Sequence, residues 1–141
     1  MNREILFRGK RTDNGEWVYG DLLCNWTVPQ ILSEEDGNEY LVIPATVGQF
    51  TGLTDKNGVK IWEGDILRKP ADLWIGNDSV GDKKGTFDDD SFVEYHDGTF
   101  RINQIGNESK LYYGVINYSR NTEADVMEVI GNIHDNPELI K

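Results

Sequence analysis

Glu4-Ile5-Leu6-Phe7-Arg8-Gly9-Lys10, then Asp13-Asn14-Gly15, then Glu16-Trp17-Val18-Tyr19-Gly20-Asp21-Leu22-Leu23 is the stretch that decides the fold class. A strand repeats every second residue, so Ile5 and Phe7 are expected on one face. Asp13-Asn14-Gly15 tolerates the positive φ of a tight turn, and the flanking runs therefore predict an antiparallel hairpin. Gly9 and Gly20, one in each arm, are expected at bulges.

Working outward, the same pattern recurs. Pro29-Gln30-Ile31-Leu32 leads through Ser33-Glu34-Glu35-Asp36-Gly37-Asn38 into Glu39-Tyr40-Leu41-Val42-Ile43, a second hairpin that Pro44 ends because it has no amide hydrogen. Thr46 to Leu53, with Gly48 and Gly52, reads as extended chain in close backbone contact. An Asn57-Gly58 turn follows, then Lys60-Ile61-Trp62, the sharp corner Glu63-Gly64-Asp65 and the strand start Ile66-Leu67-Arg68. Further strands are expected at Ser91–Tyr95, Thr99–Ile102, Leu111–Ile116 and Val126–Ile133, and Asn136-Pro137-Glu138-Leu139 opens a single helical turn. The expected total is about eight strands. Residues 69–90, broken by Pro70, Gly76, Gly81 and Gly85 and closed by Asp88-Asp89-Asp90, read as an exposed acidic loop or a long weak hairpin. The fold class is therefore all-β: twisted antiparallel hairpins closing into a barrel-like or two-subdomain structure, with helix only near the C-terminus.

A chain of 141 residues fits a single domain, 1–141, with enough apolar residues for a core that needs neither disulfide nor metal. Its formal net charge of −11 argues against direct nucleic-acid binding, which depends on cationic side chains. Arg3, Arg8, Lys10 and Arg11 form the one dense basic group, expected on the outer face and end of the first strand. Cys24 is the single cysteine, so a disulfide within the chain is impossible and a reducing compartment is the simplest expectation. Its strand-like setting marks it as a small packing residue. No apolar stretch has the form of a signal peptide or membrane span, so the expected location is the cytoplasm, with no membrane partner.

Three blocks together resemble the YopX family of phage and prophage proteins. They are Arg3-Glu4-Ile5 through Gly20-Asp21-Leu22; Val47-Gly48-Gln49-Phe50-Thr51-Gly52-Leu53 with Asp55-Lys56-Asn57-Gly58 and Glu63-Gly64-Asp65-Ile66; and Val129-Ile130-Gly131-Asn132-Ile133 with Asn136-Pro137-Glu138-Leu139. The resemblance implies an all-β fold and a phage or prophage origin in a bacterial host. It brings no catalytic or ligand-binding residues. Gly9, Gly48, Gly52, Gly58 and Gly64 suit positive-φ or close-contact sites, and Phe7, Trp17, Ile66 and Ile130 suit a core.

Candidate chemistry is sparse. Glu63, Asp65, Asp88, Asp89, Asp90 and Asp97 would have to converge to hold a divalent cation, whereas a turn and a solvated loop end explain them more simply. Asp55-Lys56-Asn57-Gly58 begins like a calcium loop and fails at the spacing. His96 and His134 fall in turns, where surface histidines are common. No phosphate-binding glycine loop and no nucleophile elbow is present. No catalytic, cofactor-binding or metal-binding residue is assigned, and no cofactor is expected. Among the aromatics, Trp17 and Trp62 read as core, and Trp74 in Asp72-Leu73-Trp74-Ile75 either tucks back or docks on another molecule. Trp26, Tyr112 and Tyr113 complete a set suited to partner contacts. The leading expectation is a phage or prophage accessory protein acting as an interaction or self-assembling module, paired with itself or with a host or phage protein. The alternatives are a metal-dependent enzyme built on the acids and an acidic DNA mimic acting on a host protein.

Overall fold

The structure is a computed structural model that describes residues 4–24, 27–68, 90–105, 112–115 and 127–140, with backbone alone at 103, 104 and 112–115. Among the described residues are eleven strands and two short 3-10 helices, which confirms the all-β reading. The strands outnumber the expected eight because several, such as Lys60–Trp62, have only three or four residues. So short a run carries little period-two signal. The chain divides into two compact units, Met1–Gly52 and Leu53–Lys141. No helix of the described residues is long and apolar enough to cross a membrane.

In the first unit β1 (Phe7–Lys10), β2 (Trp17–Cys24), β3 (Pro29–Ser33), β4 (Glu39–Leu41) and the start of β5 (Gly48–Thr54) follow the order β4-β3-β2-β1-β5. The β1–β2 register is unbroken, Phe7 opposite Gly20 and Gly9 opposite Val18. The expected bulges are therefore absent, and the two glycines answer another need. A Cβ on Gly9 would stand 2.9 Å from the Val42 Cβ, and one on Gly20 would stand 1.8 Å from the Leu32 carbonyl oxygen. Both positions admit a neighbouring strand too close for any side chain.

Val18, Ile31 and Val42 form the buried centre of this unit, with Phe7, Leu22, Tyr40 and Val47 packed against it. Ile5 departs from expectation: it is 57% exposed while Leu6 is buried. Regular pairing begins only at Phe7, and Leu6 instead accepts the Phe50 amide at 2.8 Å, so strand alternation does not reach back to Ile5. After β4 the chain bridges Val42 to Arg11, and Ile43 donates to the Lys10 carbonyl at 2.8 Å. These bonds tie the end of β1 to the segment after β4. Pro44 then starts a 3-10 turn, Pro44–Thr46, where the sequence reading expected only a strand end.

In the second unit β6 (Lys60–Trp62), β7 (Asp65–Arg68), β8 (Asp90–His96), β9 (Thr99–Gln104), β10 (Tyr112–Val115) and β11 (Glu128–Asn132) include a five-stranded antiparallel sheet ordered β10-β9-β8-β7-β11. Its core is Ile61, Leu67, Val93, Phe100, Ile102 and Met127. The β6–β7 corner turns on Gly64, at φ 90°, whose amide donates to Val93 O (2.8 Å) and whose carbonyl accepts from Ile133 N (2.9 Å). The C-terminal helical turn is a 3-10 turn at Pro137–Ile140.

Asp55 is the buried centre of the Asn-Gly turn before β6. One carboxylate oxygen accepts the amides of Asn57 (2.8 Å) and Val59 (2.9 Å), and the other accepts that of Val129 in β11 (2.9 Å). Burial raises its pKa, but the Val129, Val59 and Asn57 amides, with Lys56, outweigh this and hold the carboxyl below its ordinary value.

Candidate functional site

An open cleft of about 500 Å³ lies in the first unit, between the β1–β2 turn, the first half of β2 and the β3–β4 turn. Local sequence builds each wall. In the first turn the Arg11 amide donates to Glu16 O at 2.9 Å, and the Asn14 side chain accepts the Glu16 amide at 2.9 Å. In the second turn the Ser33 hydroxyl oxygen accepts the amides of Glu35 (3.2 Å) and Asp36 (3.4 Å). Asp36 in turn accepts the Asn38 amide at 2.9 Å. Serine and aspartate favour turns because their short side chains can capture amides in this way. The Glu34 amide then donates to Tyr19 O at 3.0 Å, which joins this turn to β2. The absence of a side chain at Gly20 makes the approach possible, since its Cβ would also fall 3.1 Å from the Glu34 nitrogen.

Aromatic side chains supply much of the apolar part of the cleft, and two of them lie against cations. The Arg8 guanidinium lies 4.4 Å from the Trp17 ring centroid, Lys10 Nζ lies 5.5 Å from it, and the Arg11 guanidinium lies 4.0 Å from that of Tyr40. Tyr40 also packs on the buried centre and donates its hydroxyl to Asp36. Tyr19 stands 36% exposed. Glu16, Glu34, Glu35 and Asp36 form an acidic rim on the cleft.

The electrostatics favour fixed charges. The Tyr40 hydrogen bond holds the Asp36 carboxyl below its ordinary pKa and, from the other side, pushes the Tyr40 hydroxyl up. The Asp13 hydrogen bond raises the Arg11 guanidinium, and Asp13 is lowered by the same bond. At pH 7 this keeps Asp13 and Asp36 as carboxylates, Arg11 as a guanidinium and Tyr40 as a neutral phenol, as suits side chains that keep one protonation state rather than shuttle protons.

The residues singled out in the sequence are scattered. Glu63 is half-buried at the β6–β7 corner, and the buried Asp65 accepts the Trp62 amide at 2.8 Å. Asp90 belongs to β8 rather than to a loop end, and Arg68 binds it through hydrogen bonds of 3.0 and 3.2 Å. Asp97, at φ 50° in the β8–β9 turn, faces His96 (3.0 Å) and Arg101 (3.5 Å). His96 ends β8, and His134 follows β11, its amide donating to Asn132 Oδ1 at 3.0 Å. Among the described residues no three His, Cys, Asp or Glu side chains gather as metal ligands. Asp88, Asp89, Trp26, Trp74, Arg3 and most of the 69–90 segment lie outside the described residues, as do the side chains of Tyr112 and Tyr113.

Three expectations need correction. Cys24 is exposed at the end of β2, beyond the core, and is not a packing residue. Arg8 is 5% exposed because its guanidinium lies against Trp17, so it is not a solvated outer-face charge. Trp17 is only half-buried and lines the cleft, whereas Trp62 is core, as expected. Sequence reasoning missed Tyr19, Tyr40 and the acids of both turns. The available signal was the strand period that sets Trp17 and Tyr19 on one face, opposite Lys10 and Arg8.

The YopX protein family model matches residues 6–141. Among solved structures, protein EF1440 from Enterococcus faecalis is similar, with a TM-score of 0.57 and 25% identity, covering 99% of this chain and all of its own. No curated protein matches the chain.

Proposed function

We propose that this chain, which belongs to the YopX family over residues 6–141, is a non-enzymatic interaction module that receives a protein partner in the cleft of its first unit. The observation that carries this reading is the meeting of an aromatic wall and an acidic rim in one concavity of about 500 Å³. Aromatic groups are common interface anchors and supply contact area at little entropic cost. Arg11, Asp36 and Tyr40 at the cleft each move toward a single protonation state at pH 7, which supports binding over proton transfer. The family resemblance supports an accessory role in a phage or prophage.

A metal-dependent enzyme has less support, since Asp55, Asp65, Asp90 and Asp97 each serve a separate contact within the chain. Self-association through the basic hairpin is also weakened as a reading. Arg8 is buried against Trp17, and Arg11 is paired with Asp13. Those cations are already engaged, which favours a different protein as partner.

The test places a photo-crosslinking residue at position 35 on the cleft rim and, separately, at position 57 in the second unit. Host-cell lysate is then irradiated with each protein. A discrete adduct at 35 that is missing at 57, and that Tyr19→Ala suppresses, is expected. Equal yields from both positions would defeat the reading.

A further inference from the structure

We infer that the cleft takes an arginine-bearing segment of its protein partner, with the guanidinium lying against the aromatic wall and facing the acidic rim. This rests on the interaction reading above and names the chemistry of its occupant.

Shape comes first. The cleft is a concavity with Trp17, Tyr19 and Tyr40 in its lining, so a planar group entering it meets aromatic side chains. Charge then selects among planar groups. Four carboxylates and one guanidinium line the cleft, and that guanidinium, Arg11, is bound to Asp13. The remaining field is negative, and Glu34 and Glu35 project from an exposed turn where they can adjust to a ligand. An anion would meet these carboxylates, and a neutral apolar group would leave them facing a desolvated contact.

The chain's own side chains show the preferred geometry. Arg11 lies 4.0 Å from the Tyr40 centroid while bonded to a carboxylate, so one residue already combines a ring and an acid. An incoming arginine would do the same with Tyr19 and the Glu34–Glu35 pair. Arginine is favoured over lysine because its flat guanidinium both stacks on rings and binds carboxylates with two donors. Lysine carries a compact charge that water hydrates strongly. The exposed rim makes each ion pair modest, so affinity should be weak for a short peptide and sensitive to salt.

The experiment uses the full chain and fluorescein-labelled pentapeptides, Gly-Arg-Gly-Arg-Gly beside lysine and glutamate counterparts, read by anisotropy. The arginine peptide is expected to bind about fivefold more tightly than the lysine peptide, with no saturable binding of the glutamate peptide. E34Q/E35Q should weaken it by about fivefold with an unchanged melting temperature, since both side chains are exposed. The control E128Q/E138Q removes the same charge from the second unit and should leave affinity unchanged.

Equal weakening by both double variants would show attraction to the acidic protein at large and overturn the proposal. So would equal binding of the lysine and arginine peptides, or no binding of either. If position 35 still cross-links to a protein while the arginine peptide fails, the interaction reading stands and only the cationic occupant falls. If neither result appears, both fall.

Discussion

Replacing Asp55 tests the structural account most directly, because one buried carboxylate accepts three backbone amides, from Asn57, Val59 and Val129. Asp55→Ala strands all three donors. A hydrogen bond to a charged group is worth about 1.5–3 kcal/mol, and such terms do not sum in full when the turn can relax. We therefore expect a loss of about 4 kcal/mol, a large part of the roughly 5–15 kcal/mol that holds a typical domain. Asp55→Asn is more discriminating. Its amide oxygen can still serve Asn57 and Val59, while its NH2 group points at the Val129 amide, donor against donor, so a loss of about 2 kcal/mol is expected.

Urea unfolding gives both values, provided the slope is unchanged. The folded carboxyl titrates below its unfolded value, so the stability it contributes is complete above about pH 3.9 and disappears as pH falls through the folded pKa. The asparagine variant should lose that part of the acid sensitivity. Variants within about 0.5 kcal/mol of the parent would refute the assigned role.

Three further outcomes follow from close approaches and turns. Gly9→Ala should lower stability by about 1–3 kcal/mol in thermal unfolding, because Val42 stands 2.9 Å from the new Cβ. Gly20→Ala should cost more and should disrupt β2–β3 pairing, visible as faster amide exchange at Leu22 and Ile31, since the obstacle is backbone at 1.8 Å. Size exclusion with light scattering should give one unchanged mass at low and high salt, because Arg8 and Arg11 are engaged within the chain; a larger species that salt dissolves would restore pairing of copies through the hairpin.

The hairpins were legible in the sequence because their signals are local. Asp13-Asn14-Gly15, Asn57-Gly58 and His96-Asp97-Gly98 mark turns by backbone chemistry alone, and all three lie at turns in the structure. The purposes of Gly9 and Gly20 were not legible. A bulge and a close crossing place the same residue in a strand, and the difference depends on Val42 and on Leu32, partners that alternation cannot identify. The same limit hid the cleft. Trp17 and Tyr19 alternate as core aromatics do, so the strand period groups them on one face, and the β2–β3 pairing that brings the Tyr40 strand and its turn alongside shows that this face borders an opening. The acids were read as separate turn and loop residues, and the structure keeps them separate, Asp65 on the Trp62 amide and Asp90 on Arg68, though Asp90 lies within β8 rather than at a loop end.

The bond from Asp55 to Val129 spans 74 residues, and β11 lies along β7 in the second sheet. During synthesis on the ribosome the first unit can assemble early, since β1 to β4 pair with their immediate neighbours in sequence. In the second unit β7 to β10 also pair in chain order, but the sheet is complete only when β11 joins β7. Until β11 emerges, β7 lacks one partner strand and the Asp55 carboxylate lacks its third donor, the Val129 amide. Non-local pairings of this kind form late, and the waiting strand edge is open to wrong partners in the interval. A message cut short before codon 128 should thus yield a chain with an intact first unit attached to an unfinished second one, and cellular proteases should remove the latter first.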